Sequence, residues 1–296
     1  MLLLTGATGS IGSRLLPLLL EGGEDVRCLV REPRRLGERR VDVQIALGDL
    51  GEMSDPYLVR QALRGVDTVI HLAATIRDQP PKRIEELNGL ATVRLLRAAE
   101  RSGVRRFVFF SALDAYAAQR TRFFRAKWLA EQAVRSSPLA TTVFAPSIVY
   151  DHSDPWVTLL RRFSFLPVLP VSGPGDAAFQ PIWAADVARC VTAALALGDE
   201  ARPRYELAGP ETLTYDDMSD LVSRIAGRPR PLVHLPLGFV RAGLLAGRSL
   251  FGESVFATWE EAELMEVSMV SERGTADVQA LGVEPRRMSD VLEDPQ

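Results

Sequence analysis

The sequence has little of what marks secreted or metal-dependent proteins. Two cysteines occur in 296 residues, Cys28 and Cys190, and both lie inside apolar runs. This pattern indicates buried thiols of a reducing compartment and excludes a scaffold held together by disulfides. The three histidines are too far apart to have the spacing of a metal site, so no metal is predicted.

A strong charge imbalance is also absent. The formal net charge is −3, so composition predicts no nucleic-acid partner. The opening residues, "MLLLTGATGSIG", lack the basic segment that characterises a signal peptide. The apolar run 235–251 contains Arg241 and Arg248, which favours a core or interfacial helix over a membrane span. We expect a cytoplasmic protein, with peripheral membrane contact as the alternative.

The first half of the chain alternates short β-rich runs with amphipathic segments. Candidate strands lie at 1–6, 25–30, 41–47, 67–74, 106–112 and 141–150. Several are apolar throughout, which is typical of strands covered on both faces. Strands that alternate with helices predict an α/β protein with a doubly wound, parallel sheet of the Rossmann type.

A long helical pattern covers residues 81–103. Its apolar residues recur at helical spacing and should form the buried face. They are Ile84, Leu87, Leu90 and Leu95. After residue 150 prolines interrupt the chain, so we predict a first domain over 1–150 and a smaller C-terminal α/β substrate domain over 151–296. Residues 181–200 return to a helical pattern and should pack back on the first domain.

The most informative segment is "LLLTGATGSIG", which joins an apolar strand to an apolar helix through three glycines. In such a turn one glycine permits the tight bend, another lets the backbone approach a pyrophosphate, and the third lets the helix pack on the strand. The phosphates meet free N–H groups at the positive end of the helix. The first domain is therefore predicted to bind NAD(P). The predicted contacts of the turn are Gly6, Thr8, Gly9, Ser10, Ile11 and Gly12.

The residue after the second predicted strand distinguishes the two nicotinamide cofactors. Sites that prefer NAD(H) usually place an acidic residue there for the ribose 2′-hydroxyl. Here Arg31 comes first and Glu32 second. A guanidinium suits a 2′-phosphate because it makes bidentate, charge-assisted hydrogen bonds. NADP(H) is therefore favoured, and NAD(H) is the alternative if Arg31 belongs to a solvated basic loop.

Further motifs accompany the glycine turn. They are "GDL" (48–50), "HLAA" (71–74), "NGLATVRLLRAAERSGVRRFVFFSAL" (88–113), "AKWLAEQAVRSSPLATTVFAPSIVY" (126–150) and "FQPIWAADVARCV" (179–191). With these motifs the chain resembles the short-chain dehydrogenase/reductase superfamily over most of its length. The likeness is greatest to the atypical and extended branches. These include NmrA-like proteins, the nucleotide-binding accessory subunit of respiratory complex I, and relatives of the NAD-dependent epimerases and dehydratases.

The resemblance implies roles for individual residues. Ser111 would place a hydroxyl near the nicotinamide or the substrate, and Asn88 would support the site through backbone or water contacts. The residues that the resemblance places at the cofactor are Asp49 and Leu50 beside the adenine, Ala73 and Ala74 on the path to the nicotinamide ribose, Lys127 at that ribose, and Pro146, Ser147 and Ile148 beside the nicotinamide ring.

One expected residue is missing. Active members of the superfamily pair the lysine with a tyrosine four residues earlier, whose phenol exchanges a proton while hydride moves. Phe123 stands there and has no proton to give. Two replacements are open, namely Tyr116 with Arg120 four residues later, or Lys127 itself with a pKa lowered by desolvation. The candidate catalytic residues are therefore Ser111, Lys127 and Tyr116.

The predicted function is that of an NAD(P)(H)-dependent oxidoreductase or epimerase-like enzyme that acts on an unidentified small molecule. The alternative is a non-catalytic, cofactor-binding regulator or accessory subunit of a redox complex, which the absence of the tyrosine favours. The alternative requires a protein partner, and a homo-oligomer is compatible with either function. No motif identifies the substrate.

Overall fold

The computed structural model describes residues 1–49, 51, 55–79, 81–236, 238, 240 and 259–294. In chain order the strands are Leu2–Thr5 (β1), Val26–Val30 (β2), Gln44–Leu47 (β3), Thr68–His71 (β4), Arg106–Phe110 (β5), Ala140–Pro146 (β6), Val149–Tyr150 (β7), Leu169–Ser172 (β8), Ala178–Phe179 (β9), Ile182–Trp183 (β10), Arg204–Leu207 (β11), Leu213–Thr214 (β12) and Leu232–Leu235 (β13).

The α-helices are Ser10–Glu21 (α1), Pro56–Leu63 (α2), Ala91–Glu100 (α3), Arg122–Arg135 (α4), Pro155–Phe163 (α5), Ala184–Leu197 (α6), Tyr215–Ile225 (α7), Trp259–Leu264 (α8), Ala276–Ala280 (α9) and Met288–Glu293 (α10). Two 3₁₀ segments cover Pro33–Val41 and Gly198–Glu200, and a π-helical segment covers Glu86–Leu90.

Seven strands form one parallel sheet, in the order β11–β6–β5–β4–β1–β2–β3. The order reverses beside β1, as in doubly wound sheets that bind ligands beyond their carboxyl ends. The predicted Rossmann-type α/β fold is therefore confirmed. Two short parallel pairs, β10–β7 and β13–β8, and one antiparallel pair, β12–β9, lie outside this sheet.

Burial explains why the central strands are apolar throughout. All four residues of β1 and of β4 are buried, because helices cover both faces of the sheet. The edge strand β3 differs, since Ile45 and Leu47 are 40% and 62% exposed. Coverage on both faces thus holds for the middle of the sheet and not for this edge.

Helices α1 and α6 cover one face of the sheet. Leu15 and Leu19 of α1 are buried in the same core as Val187 and Val191 of α6. Residues 181–200 thus lie against the first half of the chain, and β11 extends the sheet. The division into domains at residue 150 stays a prediction.

A second apolar core lies beyond the carboxyl ends of β5 and β6. It contains Leu113 and Ala145, which follow or end these strands, together with Leu160, Leu169 and Met218 of the later chain. The later segments are therefore held over the edge of the sheet where a ligand of this fold class binds.

The helical pattern over 81–103 was wrong at one position. Ile84, Leu87 and Leu95 are buried, but Leu90 is 50% exposed. The π-helical segment Glu86–Leu90 adds residues to one turn. Because Leu90 lies within this segment, the spacing of a uniform α-helix does not predict which side its side chain faces.

Within the described residues, none of the helices combines the length and apolarity needed to cross a membrane. Most of the predicted apolar helix at 235–251 lies outside the described residues.

Candidate functional site

The three glycines of the first turn have separate structural reasons. Gly6 has φ +75°, and a Cβ there would lie 2.7 Å from the backbone nitrogen of Ala73. A Cβ on Gly12 would lie 2.1 Å from the carbonyl oxygen of Gly6. By contrast, a Cβ on Gly9 would meet only that same carbonyl oxygen, at 3.4 Å, and Gly9 is exposed. Bend and packing therefore account for Gly6 and Gly12, whereas Gly9 faces open space where a ligand can approach.

The start of α1 fits a diphosphate. Gly9 is its N-cap, no side chain caps it, and its first turn carries no acidic residue. The first N–H groups of a helix have no partner within the helix, and the helix dipole favours an anion there. The hydroxyl of Ser10 donates to Asp154 at 2.8 Å, so the backbone N–H groups, and not this side chain, are left to contact phosphate. Desolvation raises the pKa of the Asp154 carboxyl.

Two cations meet one carboxylate at the carboxyl end of β2. Arg31 follows β2, and its Nη1 lies 3.7 Å from Asp49 and donates to Gln79 Oε1 at 3.0 Å. Lys82 Nζ lies 3.8 Å from the same carboxylate. A Cβ on Gly51 would lie 2.0 Å from this Nζ, which shows how closely Lys82 crosses the backbone. Leu50 lies outside the described residues.

A hydrogen-bonded row of side chains supports the ends of β1 and β4. His71 lies 2.7 Å from Thr5 Oγ1 through Nδ1 and 2.9 Å from Thr92 Oγ1 through Nε2. Thr92 donates to the carbonyl of Asn88, and the N–H of Ala73 donates to Thr5. Thr92 must then accept from Nε2–H, and the Thr5 hydroxyl must donate to Nδ1. Burial, with the nearby Lys127, lowers the pKa of His71 to about 3.

The same row positions the turn after β4. Asn88 Oδ1 accepts from the N–H of Thr75 at 2.9 Å, and its Nδ2 donates to the carbonyls of Thr75 and Ile84. These hydrogen bonds hold the backbone at Ala73, which lies close to Gly6, and at Thr75. The role that the resemblance implied for Asn88, support through contacts with backbone, matches these hydrogen bonds.

Lys127 is the buried cation of the site. It lies on α4, is 3% exposed, and donates from Nζ to the carbonyl of Phe110 at 2.7 Å. Its Nζ lies 5.1 Å from the ring centroid of Phe109 and 5.8 Å from that of Phe123. Desolvation lowers the pKa of the Lys127 ammonium to about 7, because the aromatic walls replace the water that stabilises the charge.

The other candidate catalytic residues differ in their surroundings. Ser111 directly follows Phe110, and its Oγ is buried without a hydrogen-bond partner among the described residues. Tyr116 is 47% exposed in the loop between β5 and α4. Among the described residues, no hydrogen bond joins its side chain to that of Arg120. Ser111 therefore directly follows the residue whose carbonyl accepts from Lys127, and a role for either Ser111 or Tyr116 stays a prediction.

The residues expected beside the nicotinamide ring lie at the end of β6 and directly after it. The carbonyl of Pro146 accepts from the N–H of Leu113, which ties the ends of β5 and β6 together. Ser147 is buried, donates to the carbonyl of Met269 at 2.7 Å and accepts from the N–H of Gln180. Its hydroxyl is thus occupied by the later chain, and a cofactor contact by Pro146, Ser147 or Ile148 stays a prediction.

Residues 6–196 match the family described as NAD(P)H-binding. The chain belongs to the NAD(P)H-binding family. This membership agrees with the uncapped α1 and the open Gly9, and it confirms the predicted relationship to the atypical short-chain dehydrogenases/reductases. A nicotinamide dinucleotide is thus the cofactor class of this family member.

Curated relatives of this NAD(P)H-binding protein include both enzymes and subunits. It is 32% identical to (4-alkanoyl-5-oxo-2,5-dihydrofuran-3-yl)methyl phosphate reductase of Streptomyces griseus, over 83% of this chain and 81% of the reductase. It is 28% identical to NADH dehydrogenase (ubiquinone) 1 alpha subcomplex subunit 9 of Arabidopsis thaliana, over 80% of this chain. The match covers 60% of the length of that subunit.

Among solved structures, the fold is similar to that of a nucleoside-diphosphate-sugar epimerase from Staphylococcus aureus. The TM-score is 0.79 with 18% identity, and the match covers 99% of each chain. At this identity the likeness concerns the fold alone.

Sequence reasoning missed several residues of the site. Lys82 lies in the segment "QPPKR", which has no pattern that points to β2. Thr5 and Thr92 flank His71 from segments far apart in the chain. Glu260 lies in the acidic run "WEEAELME", a pattern typical of the solvated face of a helix, yet it is 6% exposed. The spacing within one segment could not indicate any of these contacts.

Proposed function

We propose that the protein is an NADP(H)-dependent reductase in which Lys127 transfers the proton. The observation that carries this proposal is the buried Lys127, whose pKa is lowered to about 7. General acid–base catalysis is most effective when the pKa of the group lies near the working pH. An exposed lysine would keep its proton until about pH 10.4 and would be a poor acid.

The neighbouring residues support this role. A bound nicotinamide would supply the hydride. Lys127 would give one proton to the oxygen of the reduced carbonyl, become a neutral amine, and regain a proton from water. Ser111, whose buried Oγ has no partner among the described residues, would hold the same oxygen. The Phe123 ring keeps water from Lys127 and so keeps its pKa low.

The preference for NADP(H) rests on the cations after β2. Arg31 stands where Rossmann sites contact the ribose 2′ position, and Lys82 brings a second positive charge to the same Asp49 carboxylate. A 2′-phosphate would receive charge-assisted hydrogen bonds from Arg31. The side chain of Arg31 is 53% exposed, so a ligand can reach it and would compete with its contacts to Asp49 and Gln79.

A paired fluorescence titration with NADPH and NADH tests the cofactor proposal. Arg31→Ala should weaken NADPH binding about ten- to a hundredfold and leave NADH nearly unchanged, since one charge-assisted hydrogen-bonding group contributes roughly 1.5–3 kcal/mol. Arg40→Ala, another exposed arginine of the same basic segment, is the matched control. Equal losses for both cofactors would overturn the preference.

Turnover tests the catalytic proposal. Oxidation of NADPH would be followed with a panel of aromatic aldehydes and unsaturated lactones. The rate should fall as the pH rises above about 7, because Lys127 then loses the proton it must give. Lys127→Met should lose this pH dependence together with most of the turnover. A variant that keeps the wild-type pH profile would overturn the role of Lys127.

The second candidate function is that of a cofactor-binding accessory subunit. It is favoured by an exposed apolar stretch after α5, where Phe165, Leu166 and Val168 are 68%, 44% and 37% exposed. Exposed apolar residues that cluster can mark a contact with another protein. NADPH binding without turnover of any compound in the panel would support this function over the reductase.

A further inference from the structure

The loop after β4 contains a turn in which the backbones of Gln79 and Lys82 bond to each other, here called the lysine turn. The N–H of Gln79 donates to the carbonyl of Lys82 at 3.0 Å, and the N–H of Lys82 donates to the carbonyl of Gln79 at 2.8 Å. Pro81 directly precedes Lys82, and its ring fixes its own φ. The backbone that carries Lys82 is therefore held in place although it belongs to no helix of the fold.

Gln79 ties the lysine turn to two parts of the candidate site. Its Nε2 donates to Thr75 Oγ1 at 3.3 Å, and the N–H of Thr75 is in turn held by Asn88. Its Oε1 accepts from Arg31 Nη1 at 3.0 Å. The turn thus extends from the backbone after β4 to the arginine after β2, and it carries Lys82 to the place where Rossmann sites contact the ribose 2′ position.

The ammonium group of Lys82 has no close partner. Its Nζ lies 3.8 Å from Asp49 Oδ1, and Arg31 Nη1 lies 3.7 Å from Oδ2 of the same carboxylate. Both distances exceed those of hydrogen bonds, and within the described residues Lys82 Nζ makes no hydrogen bond. By contrast, the N–H of Gly51 donates to Asp49 Oδ1 at 2.5 Å. The carboxylate is thus fixed to the backbone, whereas the two cations contact it loosely.

The two cations can change partner at little cost. Their side chains are 53% and 33% exposed, for Arg31 and Lys82 respectively. Ion pairs between exposed side chains contribute little, because water solvates both charges. Both side chains are long and flexible, so their charged ends can move while the backbone and Asp49 stay in place.

A phosphate group is the anion that suits this pair. It carries about two negative charges at neutral pH and several acceptor oxygens, and both guanidinium and ammonium groups bind it through charge-assisted hydrogen bonds. Glu32, the acidic residue after Arg31, forms no ion pair with either cation in the described part of the chain. The single carboxylate of Asp49 therefore leaves this pair of cations one positive charge in excess.

We infer that Lys82 is a direct ligand of the ribose 2′-phosphate of NADP(H), and that Arg31 and Lys82 together leave Asp49 to bind it. The inference rests on the proposed preference for NADP(H) and names a second residue that determines this preference. Lys82 is thereby a specificity-determining residue and transfers no proton.

Two nucleotides that differ only in the 2′-phosphate test the inference without turnover. They are adenosine 2′,5′-bisphosphate and adenosine 5′-monophosphate, and calorimetry on the full chain would measure their affinities. Lys82→Met should weaken the bisphosphate about tenfold, the expected size of one charge-assisted hydrogen bond, and change the monophosphate less than twofold. Arg83→Met is the matched control, because it removes one positive charge from the next residue, which is exposed. It should change neither affinity more than twofold.

The outcomes separate this inference from the proposed function. If Lys82→Met kept the wild-type preference for the bisphosphate, the role of Lys82 would be wrong and the preference for NADP(H) would stand. Equal losses for both nucleotides would place Lys82 at their shared part and would also overturn the inference. A wild-type protein without any preference for the bisphosphate would refute the proposed preference for NADP(H), and the role of Lys82 with it.

A second measurement needs no variant, because Lys82 and Lys127 are the two lysines of the sequence. A lysine-acylating reagent at pH 8 would modify the wild-type chain, and mass spectrometry would follow the peptide that contains Lys82. At saturation, the bisphosphate should slow acylation of Lys82 at least fivefold, while the monophosphate should leave it nearly unchanged. Equal protection by both nucleotides, or protection by neither, would contradict the inference even if Lys82→Met did not fold.

Discussion

Replacement of Lys127 by methionine should make the protein more stable at pH 6 than the wild type. Methionine keeps a long, flexible side chain between Phe109 and Phe123 but carries no charge. The pKa of Lys127 falls from 10.5 in a solvated chain to about 7 in the fold. The difference between these two pKa values corresponds to roughly 5 kcal/mol of disfavoured charge burial. Loss of the hydrogen bond to the Phe110 carbonyl should offset about 1–3 kcal/mol of this gain.

The sign of the pH dependence follows from proton binding. Below pH 7 both the folded and the unfolded state hold the proton, so the wild type bears the full cost of the buried charge. Between pH 7 and 10.5 the unfolded state binds more protons than the folded state, so wild-type stability rises with pH. Lys127→Met lacks this rise. Its advantage over the wild type should therefore shrink from pH 7 toward pH 10 by a few kcal/mol.

Urea unfolding of both proteins at several pH values between 6 and 10 measures this difference. Other titrating groups are common to the two proteins and cancel in the comparison. Lys127→Arg is a useful companion, because a guanidinium stays charged in this range and should destabilise the fold at every pH. If the difference between wild type and Lys127→Met did not change with pH, the reasoning about a desolvated lysine would be refuted.

Three further outcomes are expected. Between pH 6.5 and 5, His71→Gln should lose about 2 kcal/mol less stability than the wild type. The pKa of His71 is about 3 in the fold, so in this range the unfolded wild type binds a proton that the folded protein does not. Denaturation midpoints at the two pH values measure this difference. Gly9→Ala should keep the melting temperature within a few degrees of the wild type yet bind NADPH weakly. Gly12→Ala should fail to fold, because its Cβ would lie 2.1 Å from a carbonyl oxygen. Calorimetry together with a cofactor titration distinguishes the two variants. Cys28 and Cys190, whose pKa values burial raises to about 12, should react with a thiol reagent at pH 8 only in urea, and fast reaction of the native protein would contradict their burial.

Much of the fold follows from patterns that are local in the chain. The glycine turn, the apolar strands and the alternating helices predict the parallel sheet, because period and turn chemistry are properties of neighbouring residues. The exposed Leu90 shows where this reasoning ends. Helical spacing presumes a uniform helix, and the chain is π-helical over Glu86–Leu90, where Asn88 bonds to the backbone of Thr75 in another segment.

In the candidate site, too, some features are visible in the sequence and others arise only from the fold. The spacing that places Lys127 four residues after Phe123 is visible in the sequence, but the lowered pKa of this lysine is not. It requires the rings of Phe109 and Phe123 to exclude water, and Phe109 lies on β5, whereas Phe123 and Lys127 lie on α4. Arg31 could be singled out by its position after β2, whereas Lys82 could not, because only folding brings it to Asp49.

By itself, the sequence determined the Rossmann-type sheet, the cofactor class and the candidate lysine, since each is encoded by residues that are close in the chain. The tertiary structure alone decided which side chains share a site. It buried Glu260, surrounded His71 with two threonines, and joined Arg31 and Lys82 at one carboxylate. Contacts of this kind depend on the free energy of burying distant segments together, and no local pattern reports that free energy.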